Sequence, residues 1–388
     1  MSRARRFGLA IRVTVALVAV LLLSLHVLPL EAQSLMQDAP RKEAPMPLPQ
    51  RIFISGHSLM NQPIPRNLVA IASGFGLKLS WNGQYLEGSS IKQRSRGADG
   101  QPFSGYTRGV DQANRPVDVL AEFAAAASDR DKRYDALLIT EQHGLLGSLV
   151  WNDTVHNLRD FQDRFAAQNA NGQTYFFEPW LSLDRKEDPR RWIAYERAAV
   201  TVWRCVVEKT NMAIAADGRK DRLVSLPAAA ALARLIELAT APAGLPGISR
   251  ANTRATVDSL VQDDVHLTGL GNYYIALVVF AAIFQRSPEG AWRPDEVGAE
   301  QALTLQRVAQ EFLSQPQPAP LSLDDCRSYV RKSFMWTYLS YAGAVQWSKE
   351  HGFLGTLYLQ VKVAMQWLWL FSRERPDNPF SSTAYGPG

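Results

Sequence analysis

The sequence predicts an α/β domain on a mainly parallel sheet, followed by a helical extension. Three observations carry this. Short β-type runs alternate with helical patterns from residue 51 to about 285. Gly, Pro and Asx turn signals separate them, and no repeat of solenoid length underlies the alternation. The 388 residues are 46% apolar and 20% charged, enough for a sizeable core and too apolar for a disordered chain.

Residues 1–32 read as a secretory signal peptide. Arg3, Arg5, Arg6 and Arg12 precede an apolar run from Val13 to Leu30, and Ala32 supplies a small residue before a cut. An uncleaved membrane anchor is the alternative, because the run approaches the ~18 residues of a spanning helix. Either way the body is expected to be exported, periplasmic or secreted. Without the leader's four arginines and Glu31 the formal net charge drops from +5 to +2, which gives no electrostatic case for a nucleic-acid partner. Residues 33–50 are polar and Pro-rich, a flexible spacer.

The first strand is expected at 51–54, running into Ser55-Gly56-His57-Ser58. A helix follows over 65–75, stopped by Gly76, and a second strand over 77–81. Residues 88–116 are expected to form a loop whose Lys92, Arg94, Arg96 and Arg108 are solvated, contact with an anionic substrate being the alternative. Then come a helix near 117–128, a buried strand at 136–139, and a helix capped by Asn152 or Asp153 that runs to about 168. A strand at 174–178, a helix over 189–210, a strand at 222–226 and an Ala-rich helix opened by Pro227 continue the alternation, which ends with a helix over 269–286.

The domain is therefore bounded at 51–290, and residues 291–388 form the extension. It holds a helix near 300–313, a PQPAPLSL linker, and an aromatic-rich tail over 326–373 with Trp336, Trp347, Trp367 and Trp369. The tail is expected to be an amphipathic hairpin packed on the domain, with peripheral membrane contact as the alternative. Cys205 and Cys326 are the only cysteines. Free buried thiols are expected, a disulfide being the other possibility in an exported chain.

Two separated segments carry chemistry. Ser58 ends a strand through a Gly-containing turn and precedes a helix, which puts its hydroxyl in the crevice where open α/β sheets bind ligands. Backbone N–H groups at such a helix start can hold an oxyanion. Far downstream, Asp263-Asp264-Val265-His266-Leu267-Thr268 places a carboxylate three residues before a histidine. That spacing lets the acid orient the imidazole while the other ring nitrogen serves as base toward a serine.

Ile54-Ser55-Gly56-His57-Ser58-Leu59 and Asp263-x-x-His266-Leu267-Thr268 resemble the first and last blocks of the SGNH/GDSL hydrolases. The resemblance spans roughly residues 51 to 285. It implies a flavodoxin-like three-layer α/β/α fold and metal-free cleavage of esters of lipids or acylated carbohydrates. By the same resemblance Ser58 matches the nucleophile, His266 the base and Asp263 the orienting acid, and the N–H groups of Ser58 and Gly88 match two oxyanion donors. The chain departs from the pattern twice: His57 stands where the family has Asp, and Thr140-Glu141-Gln142-His143 stands where it has Gly-x-Asn-Asp. Gln142 is the expected third oxyanion donor, with Asn152 the alternative. No cofactor is called for, and His57 and His143 have no third residue at metal spacing. Trp81, Trp151 and Trp180 are expected in the core, sugar stacking being the alternative.

The resulting expectation is an exported serine esterase acting on a carbohydrate or other envelope ester. An acyltransferase using the same residues, and a catalytically degenerate binding module, are the alternatives.

Overall fold

The computed structural model describes residues 48–96, 105–316 and 319–382, so the expected signal peptide and most of the spacer lie outside the described residues. Seven strands follow in chain order: β1 (Arg51–Gly56), β2 (Ser80–Tyr85), β3 (Gly109–Asp111), β4 (Pro116–Val117), β5 (Ala136–Thr140), β6 (Gln173–Phe177) and β7 (Leu223–Leu226). They form one sheet in the order β4-β3-β2-β1-β5-β6-β7. β2, β1, β5, β6 and β7 are mutually parallel, and β3 and β4 add an antiparallel edge. Ile52, Phe53 and Ile54 of β1 and the first four residues of β5 are apolar runs buried on both faces, as central parallel strands must be.

Among the parallel strands alone the order is that of a flavodoxin-like sheet. The chain reverses its walk across the sheet between β1 and β5. Beyond the carboxyl ends of those two strands lies the switch-point crevice, where such folds bind ligands.

The helices of this part are α1 (Ile64–Gly74), α2 (Ile91–Arg96), α3 (Val119–Ser128), α4 (Leu145–Trp151), α5 (Thr154–Gln168), α6 (Arg190–Ala216), α7 (Ala228–Thr240), α8 (Thr253–Asp258) and α9 (Gly269–Phe284). α1 packs on α9, while α3, α5 and α6 pack in series. α9 is apolar on nearly every side and buried along nearly its whole length, as a helix enclosed in a layered core should be. The three-layer α/β fold is thus the one expected.

Several details differ from expectation. Residues 88–116 are not simply loop: they hold α2, β3 and β4, and Arg94 is buried rather than solvated. Trp81 and Trp180 are core, but Trp151 is 55% exposed. Asp153 precedes α5 in a left-handed conformation and its carboxylate makes no capping bond.

The extension comprises α10 (Ala299–Ser314), α11 (Leu323–Tyr329), α12 (Met335–Ala342) and α13 (Ser348–Phe371), with π-helical turns at Val330–Phe334 and Gly343–Trp347. It belongs to the same compact unit as the sheet. Cys205 on α6 and Cys326 on α11 form a disulfide, contrary to the free thiols expected. Their Cα atoms are 5.8 Å apart, which packing of α11 on α6 makes possible and sequence cannot reveal. Closing a loop over 121 residues contributes roughly 4–5 kcal/mol in the chain-entropy model. Tyr341 adds a polar clasp: its hydroxyl donates to the Ser182 carbonyl at 2.8 Å and accepts from the Asp184 N–H at 3.1 Å.

Glu178, directly after β6, sets a pH dependence of stability. Burial pushes its carboxyl up from 4.5 to about 8, against the opposing Ser225 hydroxyl and Arg204. The folded state keeps a proton that the unfolded chain releases above 4.5, so this contribution is full at lower pH and is lost as pH rises to about 8. Thermal melts of the wild type should show this decline between pH 5 and 8, and Glu178→Gln should flatten it. An unchanged slope in that variant would contradict the assignment.

Candidate active site

The turn after β1 is built around Gly56. A Cβ there would lie 3.0 Å from the Met60 side chain, so the chain needs glycine to turn this tightly. His57 follows, buried, and its ring joins two strands. Nε2 lies 2.9 Å from the Glu141 carbonyl after β5, and a carbonyl can only accept, so Nε2 carries the proton. Nδ1 is then free to accept from the Leu59 N–H at 3.4 Å. Burial first, then Arg94 and His143, lower the His57 pKa to about 3, so the ring is neutral. A neutral imidazole that ties the β1 turn to the β5 turn accounts for a histidine just before the serine.

Ser58 opens a one-turn 3-10 helix, Ser58–Met60, and is partly exposed. Its Oγ makes no hydrogen bond among the described residues. Gly88 sits in the turn Leu86–Ser89, closed by Ser89 N–H to the Leu86 carbonyl at 3.2 Å. It has φ +62°, which glycine adopts freely, and it is exposed.

Glu141 and Arg94 hold this end of the sheet together from below. The buried Glu141 carboxyl accepts from Ile91 N–H at 3.1 Å, from Gln142 N–H at 2.7 Å and from the Thr154 hydroxyl at 2.9 Å. Burial pushes its pKa up, and Arg94 together with those donors opposes this. Arg94 donates to Ser55 Oγ at 3.0 Å, to the Ser89 carbonyl at 2.8 Å and to the Thr140 carbonyl. These two buried groups thus fix the ends of β1 and β5 and the loop carrying Gly88.

Gln142 and Asn152, weighed as competitors from sequence, are bonded to each other. Asn152 Nδ2 donates to Gln142 Oε1 at 3.2 Å, and Gln142 Nε2 makes no hydrogen bond among the described residues. Asn152 ends α4 and acts through Gln142 rather than in its place.

Asp263 and His266 form the expected pair. Asp263 Oδ2 lies 2.8 Å from His266 Nδ1, and Oδ1 accepts the N–H groups of Val265 and His266 at 2.8 and 2.7 Å. Burial opposes ionisation of Asp263, but the two backbone donors and the ring outweigh it and hold its pKa at about 2. The loop is pinned near the end of β6: Trp180 Nε1 donates to the Val265 carbonyl at 2.8 Å and Leu183 N–H to the Asp264 carbonyl at 2.6 Å. Lys349, at the start of α13, reaches the Asp264 carboxylate at 3.4 Å. His266 contributes to lowering the pKa of both His57 and His143. It makes no hydrogen bond to Ser58, so the structure assembles acid with base but leaves base and serine apart.

Sequence reasoning treated His143 only as one of a possible metal pair. It is partly buried, its ring lies 5.9 Å from that of His57, and its buried Nδ1 has no partner among the described residues. No group of three metal-ligating side chains occurs among the described residues.

No protein-family model matches the sequence, and no curated protein matches it. Among solved structures, the fold is similar to the crystal structure of a DUF4886 family protein from Bacteroides uniformis, with 13% sequence identity and a TM-score of 0.48. The similarity covers 70% of this chain and 97% of that one.

Proposed function

We propose that the chain is an exported serine ester hydrolase of SGNH type that deacylates a carbohydrate or other envelope ester. One observation carries the reading: the Asp263–His266 pair at 2.8 Å, in a fold whose switch-point strand β1 leads through His57 into Ser58. In the proposed cycle His266 Nε2 takes the Ser58 proton as Oγ attacks the ester carbonyl. The Ser58 and Gly88 N–H groups and Gln142 Nε2 hold the oxyanion, and the alcohol leaves with the proton from His266. Water, activated by the same ring, then releases the acid and regenerates Ser58. Asp263, ionised to about pH 2, stabilises the imidazolium throughout. The disulfide supports export, since such bonds persist in oxidising compartments.

The missing Ser58–His266 hydrogen bond favours a second reading, a binding module of the same fold without turnover. Catalytic hydrogen bonds are often long or absent before substrate arrives, which keeps hydrolysis first. The deciding assay is hydrolysis of p-nitrophenyl acetate by wild type and His266→Ala. The hydrolase reading predicts turnover that falls by about 10⁴-fold or more in the variant. Equal rates in the two proteins would reject it.

A further inference from the structure

We infer that the outer face of α13 docks on a lipid bilayer containing anionic headgroups. From residue 353 the helix exposes positions 353, 354, 357, 358, 361, 362, 365, 366 and 369, a continuous stripe at helical spacing about 24 Å long. Seven of these are apolar, among them Phe353 at 80% exposure, Leu354 at 77%, Tyr358 at 65% and Met365 at 62%. The opposite side of the same helix, including Val363, Ala364, Trp367 and Phe371, is buried in the protein. The helix is therefore apolar on both sides, and only one has a partner among the described residues. A stripe of this extent marks an interaction surface.

Its charges point to lipid. No Asp or Glu occurs between residues 351 and 373, whereas Lys362 lies within the stripe. At its end Arg373 and Arg375 lie 4.9 and 4.6 Å from the ring centre of Trp369. Of the nearest acids, Glu374 pairs with Arg327 and Asp377 with Arg375, while Glu350 lies before the stripe begins. An apolar face with a long-stemmed cation at its middle and a Trp–Arg cluster at its end matches an interfacial helix. A second copy is the weaker occupant. Two-fold packing about the stripe's centre would set Lys362 beside its own symmetry mate with no acid on the stripe to pair it. Among the described residues no helix is long and apolar enough to cross a membrane, so the contact is peripheral.

The face continues across Trp151 of α4 into a groove of about 640 Å³ between Val150, Met365, Trp369 and Leu370. Trp151 immediately precedes Asn152, which orients Gln142, so docking would bring the candidate site near the headgroups.

The test is cosedimentation of the chain beginning at Leu48, which forms one compact unit without the apolar run at 13–30 that would itself bind lipid. Vesicles of phosphatidylcholine with about 30 mol% phosphatidylglycerol should pellet it, and pure phosphatidylcholine vesicles should do so less well. A variant with Phe353→Ser, Leu354→Ser, Tyr358→Ser and Met365→Ser should bind about tenfold or more weakly, and Lys362→Glu about threefold more weakly. Thermal melts check that both variants fold, and no step depends on hydrolase activity. Wild-type protein that stays in the supernatant overturns the inference, as does a dimer abolished by the four-residue variant without vesicle binding.

Discussion

Replacing Ser58 by alanine will lower kcat for short p-nitrophenyl esters by about 10⁴-fold or more while leaving the fold intact. The size follows from the proposed mechanism, in which no acyl-enzyme forms without Oγ and the remaining groups assist only direct attack by water. The structural silence follows from position. Ser58 is partly exposed and its Oγ bonds to nothing among the described residues, so its loss breaks no contact. Its neighbour behaves oppositely. His57 is buried and joins the turns after β1 and β5, so replacing it would disturb the serine through the backbone. Steady-state kinetics with near- and far-ultraviolet circular dichroism separates the two. Turnover retained within tenfold in Ser58→Ala would remove the serine from the mechanism.

The second large effect is on stability. Glu141→Ala should cost about 3–5 kcal/mol, the penalty for breaking a buried charge constellation by removing one side. Three donors, from Ile91, Gln142 and Thr154, would lose their acceptor, and Arg94 would stay buried without the opposing charge. The same buried carboxyl positions the Gln142 backbone and the start of α2, so activity should fall with stability. The double variant Glu141→Leu/Arg94→Met should recover part of the loss, because it removes both charges. Urea denaturation midpoints for the single and double variants measure this coupling. A cost below about 1 kcal/mol for Glu141→Ala would contradict it.

What was legible in the sequence was what is local. β1 and β5 read as continuous apolar runs because central parallel strands are covered on both faces. Asp263 and His266 were legible as a pair because three residues of one loop suffice to join them. The segment 88–116 misled, because α2 reads IKQRSR and has almost no apolar pattern. What holds Arg94 inside is a set of acceptors from the nearby Ser89 and from Ser55 and Thr140 on two distant strands, which no periodicity records. Gln142 and Asn152 looked like rivals because nine residues of intervening sequence conceal that α4 folds one back onto the other. The same limit applied to Cys205 and Cys326, and to α13, whose apolar composition was plain but whose uncovered face depends on where the hairpin packs.

An activated serine just beyond β1 is best sought with a fluorophosphonate probe on folded, oxidised protein, with the adduct mapped by peptide mass spectrometry. A single adduct on Ser58 is expected, absent from Ser58→Ala and His266→Ala. A wild-type protein that melts cooperatively yet takes no label, or takes it at another serine, would contradict the account.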